Sequence, residues 1–157
     1  MGSDGAAFEK ILSALPLKTY PAGETVLSDG VKTGRLLLLK SGEVAVLKNS
    51  AVLARVDQPG AVFGELAGLL DQPHGADVRT LQDSQFHVAD AELLEKEPIA
   101  LLHVARILAR RLVAANNALV ELKNQIETGP SPSALRKVLS KVETILMAGG
   151  SSHEPGL

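Results

Sequence analysis

The spacing of apolar positions changes character several times along the chain. Phe8, Ile11, Leu12 and Leu15 fall at helical spacing within residues 6–15, and Pro16 stops the pattern. From residue 17 to residue 56 the apolar runs become short: Leu17 and Tyr20, Val26 and Leu27, Leu36 through Leu39, Val44 through Leu47, Val52 and Leu53. Turn-forming clusters separate them, at Pro21 to Gly23, Asp29 and Gly30, Thr33 and Gly34, Ser41 and Gly42, and Lys48 to Ser50. Short strands at such spacing predict a sandwich or a jelly-roll barrel. The four leucines also fit a helix, but the flanking glycines favour a strand buried on both faces. Val78, Thr80, Phe86 and Val88 are suited to inward positions on returning strands, with a turn at Gln82 to Ser84. Residues 90–97 read as a short helix with Asp90 as its N-cap.

The period lengthens again after Pro98, a residue suited to a first helical turn. Leu101, Ala105, Leu108, Leu112, Ala115, Leu119, Leu122 and Ile126 recur at alternating steps of four and three. That is a heptad seam, and it predicts a long helix that forms a homodimer, chiefly through Leu101, Leu108, Leu112, Leu119 and Leu122. The alternative is a helix lying on its own barrel. Thr128 to Pro132 breaks the chain, and residues 133–147 form an amphipathic helix with Leu135, Val138, Leu139, Val142, Ile145 and Leu146 on one face. Residues 149–157 are expected to be a disordered tail. The expected organisation is therefore a domain over 6–127, a linker and extra helix over 128–148, and the tail. The fold class is mainly β, a jelly-roll barrel over 17–88 flanked by an N-terminal helix and C-terminal helices, one of them the long dimer helix.

Residues 59–78 carry the candidate chemistry. Pro59 and Gly60 mark a turn, Ala61 to Phe63 a strand end, and Gly64 a position of free backbone geometry. Glu65 to Leu70 reads as one or two helical turns. A glycine-led turn into a helix presents unpaired N–H groups, and a carboxylate in that first turn can accept a hydroxyl hydrogen bond. Asp71 to Pro73 closes the helix, and His74 to Asp77 leads into a strand. The run Phe63, Gly64, Glu65, Leu66, Ala67, followed by Pro73, His74, Gly75, Ala76, Asp77 and Val78, resembles the phosphate-binding cassette of cyclic-nucleotide-binding domains. These occur in catabolite activator proteins, cyclic-nucleotide-dependent kinases and gated channels. The stretch around Gly23 to Gly30 and Leu36 to Val44 resembles the first half of the same domain, and the 98–127 segment resembles the dimer helix of catabolite activator proteins.

The resemblance implies a ligand, cAMP or cGMP, and a site built from Phe63, Gly64, Glu65, Leu66, Ala67, His74, Gly75, Ala76 and Asp77. It implies that Glu65 binds the ribose 2′-hydroxyl and that N–H groups near Gly64, Leu66 and Ala67 approach the cyclic phosphate. Two positions depart from the family pattern: His74 stands for a phosphate-binding arginine and Asp77 for a threonine or serine. Histidine lacks arginine's permanent charge and planar fork of donors. A carboxylate at 77 is expected to repel an anion unless Arg79, two residues on, compensates. Weak or absent nucleotide affinity is the expectation, with His74 the main cause.

With 157 residues, 45% hydrophobic and 22% charged, the chain has the composition of one soluble domain. A net charge of −2 supplies no basic field for nucleic acid, and only one short helix follows the long one, so no DNA binding by this chain alone is expected. The absence of cysteine excludes disulfides, thiol catalysis and iron–sulfur ligation. His87, His103 and His153 are scattered, without metal-ligand spacing. No signal sequence or membrane-length apolar run is apparent, so a cytoplasmic location without membrane contact is expected. The functional expectation is a cyclic-nucleotide-binding-like regulatory (sensor) module, not an enzyme, relaying to an unknown downstream protein partner. The alternatives are a ligand-free structural or dimerisation module, or a relative of transcription regulators lacking the DNA-binding domain.

Overall fold

A computed structural model describes residues 2–129 and 131–147. The chain order is α1 (Gly2–Ser13), β1 (Leu17–Tyr20), β2 (Thr25–Leu27), β3 (Arg35–Ser41), β4 (Val44–Lys48), β5 (Ala51–Val56), β6 (Val62–Phe63), α2 (Glu65–Leu70), β7 (Asp77–Thr80), β8 (Ser84–Asp90), α3 (Glu92–Lys96), α4 (Pro98–Glu127) and α5 (Pro132–Met147). The strands form two four-stranded sheets, ordered β1-β8-β3-β6 and β2-β7-β4-β5. All pairings are antiparallel.

The leucine run explains how two cores share one strand. Successive side chains of β3 point to opposite faces. Leu37 and Leu39 join Tyr20, Phe63 and Phe86 against Leu27, Val44, Val46, Val56 and Val78 of the other sheet. Leu36 and Leu38 face the opposite way, onto Phe8 and Leu12 of α1, Leu94 of α3, and Ala100, Val104 and Ile107 of α4. All four leucines are at most 2% exposed. Burial of each contributes about 1.5–3 kcal/mol, and truncation of any one to alanine costs about 2–5 kcal/mol.

Several boundaries differ from the sequence expectation. Asp90 is the last residue of β8, paired with Arg35, and does not cap a helix. Helix α3 follows Ala91 and has no side-chain cap. On α4 the buried stripe is Ala100, Val104, Ile107, Ala115 and Ala118. Of the predicted seam, Ala115 turns inward and Leu108 and Leu122 are half-buried, while Leu101, Leu112, Leu119 and Ile126 are exposed. Leu102, Val113 and Val120 extend the exposed apolar sector beside them. Helix α5 folds back along α4 and also touches β5. Its Val138 is buried, whereas Leu139 remains 49% exposed. The expected tail and the side chain of Leu146 lie outside the described residues.

Candidate functional site

The turn from β6 into α2 is where backbone conformation and chemistry meet. Gly64 sits at the N-cap of α2 with φ 90° and ψ 0°, in the left-handed region. A Cβ there would collide with the carbonyl oxygen of Arg35 and approach His74 Cε1 at 3.3 Å. Glycine is therefore required by both dihedral and space. A second close approach holds α2 against the end of β8, because a Cβ on Gly68 would lie 2.8 Å from that of Ala91.

This geometry buries Glu65 at the first helical position, with only 1% of the residue exposed. Its Oε1 accepts a hydrogen bond at 2.9 Å from Arg111 Nη1 on α4, forming an ion pair. Arg111 Nε donates in turn to the Ile145 carbonyl of α5 at 3.1 Å. The other carboxylate oxygen, Oε2, is buried and has no hydrogen-bond partner among the described residues. Burial raises the Glu65 pKa from 4.5 to about 7, against the opposing pull of Arg111 and of its own backbone N–H.

A cavity of about 200 Å³ opens beside this carboxylate. Leu27, Val46, Phe63 and Val78 supply apolar wall, and Gly64 to Ala67 together with Pro73 to Ala76 form its cassette side. Of the nine expected site residues, the structure brings eight together here: Phe63, Gly64, Glu65, Leu66, Ala67, His74, Gly75 and Ala76. Asp77 is not among the lining residues. Its Oδ1 instead accepts the backbone N–H of Asp29 at 2.7 Å, and Asp29 pairs with Lys48 at 2.9 Å. The carboxylate is thus engaged in tying β7 to the loop after β2, and Arg79 is exposed.

His74 is buried, with 5% exposure. Its Nε2 shares a 2.7 Å hydrogen bond with Thr33 Oγ1. Its main chain is pinned at both groups: its N–H donates to Val31 and its carbonyl accepts from Gly30. Burial holds its pKa below the ordinary histidine value, favouring the neutral ring. The ring is therefore a neutral hydrogen-bonding neighbour of the Gly64 turn. It does not supply the fixed positive charge an arginine would.

Sequence reasoning missed two contributors. Thr33 was legible only as part of a turn. Arg111 lies 46 positions from Glu65. Its signal was its place in the inward stripe of α4, between Ile107 and Ala115, where a cation needs a buried partner. Among the described residues no group of three or more acidic or histidine side chains could hold a metal. None of their helices is long and apolar enough to cross a membrane.

Comparison with known proteins agrees with this geometry. A glutaminase of Bradyrhizobium diazoefficiens, Glutaminase 2, is 35% identical over 119 residues, covering 69% of this chain and 19% of the enzyme. The cAMP-dependent protein kinase regulatory subunit of Aspergillus niger is 39% identical over 70 residues, 44% of this chain and 17% of that protein. With a cGMP-dependent protein kinase of Eimeria tenella, of which 9% is covered, these place the chain at a fifth or less of the length of the curated relatives it matches. Among solved structures, the catabolite activator protein of Thermus thermophilus superposes with a TM-score of 0.60 at 22% identity, over 90% of this chain and 79% of that one, which shows a shared fold. The sequence profile described as "Cyclic nucleotide-binding domain" matches residues 17–97, just over half of the chain. Together with the cassette turn, its buried glutamate and the paired antiparallel sheets, that match shows that the chain belongs to the cyclic nucleotide-binding domain family.

Proposed function

We propose that this chain is a regulatory (sensor) module, built on a jelly-roll barrel. In this reading it binds cAMP or cGMP, or another small hydroxylated anion, in the Glu65 cavity and relays occupancy through α4 and α5 to a downstream protein in the cytoplasm. The observation that carries the reading is Glu65 Oε2, a buried acceptor beside the cavity with no partner among the described residues. Such an oxygen costs about 1–3 kcal/mol while unsatisfied, so a ligand hydroxyl that reaches it gains more than an ordinary hydrogen bond. The first N–H groups of α2 lack intrahelical partners as at any helix start, and of these the Glu65 N–H already serves its own carboxylate. The activity is regulatory, and no catalytic step is assigned to the chain.

Affinity is expected to be low. A neutral His74 in place of a charged, forked donor forfeits about 2–5 kcal/mol of a buried charge-assisted contact. Calorimetric titration with cAMP and with cGMP is the test. Weak binding that 2′-deoxy-cAMP fails to reproduce supports the reading. Tight binding of the 2′-deoxy compound removes Glu65 as the anchor.

Two features favour the alternative of a ligand-free structural module. Arg111 already holds Glu65, and the cavity of about 200 Å³ is below the roughly 300–1,000 Å³ usual for small-molecule sites. A flat titration to millimolar nucleotide selects that alternative. In either case the exposed apolar sector of α4, with Leu112, Val113, Leu119 and Val120 each more than half exposed, fits a second copy of this chain. A homodimer through α4 is accordingly part of the proposal.

A further inference from the structure

His74 makes a hydrogen bond whose direction is decided by the groups around it. Thr33 Oγ1 accepts the main-chain N–H of Arg35 at 3.0 Å, which leaves the hydroxyl its own proton and one lone pair. Among the described residues that proton has one acceptor, His74 Nε2 at 2.7 Å. A chain from the Arg35 N–H through the Thr33 hydroxyl to Nε2 satisfies every member, and it places the ring proton of a neutral His74 on Nδ1. Cε1 lies between the two ring nitrogens and faces the Gly64 turn, where a Cβ would meet it at 3.3 Å. The ring lines the same cavity as Glu65, whose Oε2 is buried without a partner among the described residues. Burial is what holds the ring neutral. The charged groups on the surrounding elements are engaged elsewhere: Glu65 of α2 with Arg111 of α4, Asp77 of β7 with the Asp29 N–H, Asp29 with Lys48 of β4, and Asp71 with Lys32. Arg35 and Arg79 are exposed.

We propose that an anion in the Glu65 cavity draws a proton onto His74, so that the proton is a co-ligand and the module reads anion and pH together. The proposal rests on the binding reading above and adds the regulation of that site. A neutral ring offers an anion one donor and no charge. Protonation at Nε2 adds a second donor and a positive charge. Thr33 keeps its contact by turning from donor to acceptor with its spare lone pair, and because it is exposed its own proton passes to solvent. The anion favours the charged ring, the charged ring favours the anion, and by linkage the two effects are equal. Binding through His74 therefore tightens on acidification, by about tenfold per pH unit at most for one proton. An arginine would carry its charge at any pH, so the histidine makes the charge conditional. Glu65 acts in the opposite sense. Its pKa is about 7, and a ligand hydroxyl on Oε2 favours the ionised form and releases a proton. His74 thus supplies the acid-favoured part of binding and Glu65 the base-favoured part.

Solution NMR of the isotope-labelled full chain tests this by following the His74 ring from about pH 5 to about pH 8, with and without cAMP at saturation. Without cAMP the His74 midpoint is expected below the ordinary histidine value. With cAMP it is expected to rise by at least about one pH unit. The His87 and His103 rings do not line the cavity, and their midpoints are expected to hold. Calorimetry in two buffers of different ionisation enthalpy counts the protons exchanged. Glu65→Gln removes the carboxylate's own titration. In that background cAMP is expected to take up protons near pH 7 and to bind several-fold more tightly at pH 6 than at pH 8. Adding His74→Gln is expected to abolish both effects. Saturating cAMP that leaves the His74 midpoint of the wild type in place overturns the proposal and leaves the binding reading standing. Proton uptake that survives His74→Gln overturns it as well. If cAMP gives no heat and moves no resonance at either end of the pH range, the binding reading falls and the proposal with it.

Discussion

Replacing Glu65 with glutamine isolates the energetic cost of a carboxylate inside the cassette. The side chain is 1% exposed, and burial raises its pKa from 4.5 to about 7. The folded state therefore keeps a proton that the unfolded chain has lost between those two values. Unfolding free energy falls with rising pH wherever the folded state binds more protons. The wild type thus loses stability as pH climbs from about 4.5 to about 7, and the loss is complete above 7. The displacement corresponds to about 3 kcal/mol in full, of which about 2.5 kcal/mol falls between pH 5 and pH 8. His74, His87 and His103 act in the opposite sense. Burial is the first cause that holds each below its ordinary value, so their contribution rises as pH climbs toward 6.5. They are common to both proteins and cancel in the comparison. Glutamine keeps the size and an acceptor for Arg111 but cannot titrate. Urea unfolding of the two proteins at several pH values gives the result directly. Glu65→Gln is expected to match the wild type near pH 5 and to exceed it by about 2 to 3 kcal/mol at pH 8. Parallel curves across that range would show that the carboxylate is not held in a dry site against α4, and the description of the cassette would be wrong.

Other outcomes follow from the same contacts. Gly64→Ala forces a side chain into the left-handed region and against the Arg35 carbonyl, so it is expected to cost more than about 2 kcal/mol in denaturant unfolding. Asp77→Thr removes an acceptor from the Asp29 N–H and is expected to cost about 1 kcal/mol by the same measurement. The double change His74→Arg with Asp77→Thr is expected to tighten cAMP or cGMP at least tenfold by calorimetry. No gain would mean that burial and the Thr33 contact leave the new guanidinium no path to a phosphate. Leu112→Lys with Leu119→Lys places charge on the exposed sector of α4 and is expected to yield monomer in light scattering, whereas an unchanged dimer mass would place the interface elsewhere.

Local pattern was enough to determine the elements. The four leucines of β3 fitted a helix as well as a strand, and the flanking glycines favoured the strand, whose alternation sends neighbours to two buried faces. Pro98 marked the start of α4, and the glycine before Glu65 marked the turn that buries the carboxylate. The cassette was legible because its residues are contiguous, and one backbone turn brings them to one cavity. What the sequence could not determine was the partner of each polar group. Asp77 looked as though it would face an anion, but the loop after β2 crosses near it and gives it a backbone N–H. His74 stood at the position of a phosphate-binding arginine, yet packing buries it against Thr33. The seam of α4 read as one stripe because heptad counting ignores the body of the protein. The body takes Ala100, Val104, Ile107 and Ala118, with Ala115, and leaves a sector rotated from the expected line. Arg111 shows the reason most clearly. A charge acquires its role from whatever is dry and opposite within a few ångströms, and here that is Glu65, which only the docking of α4 on the cassette brings into reach.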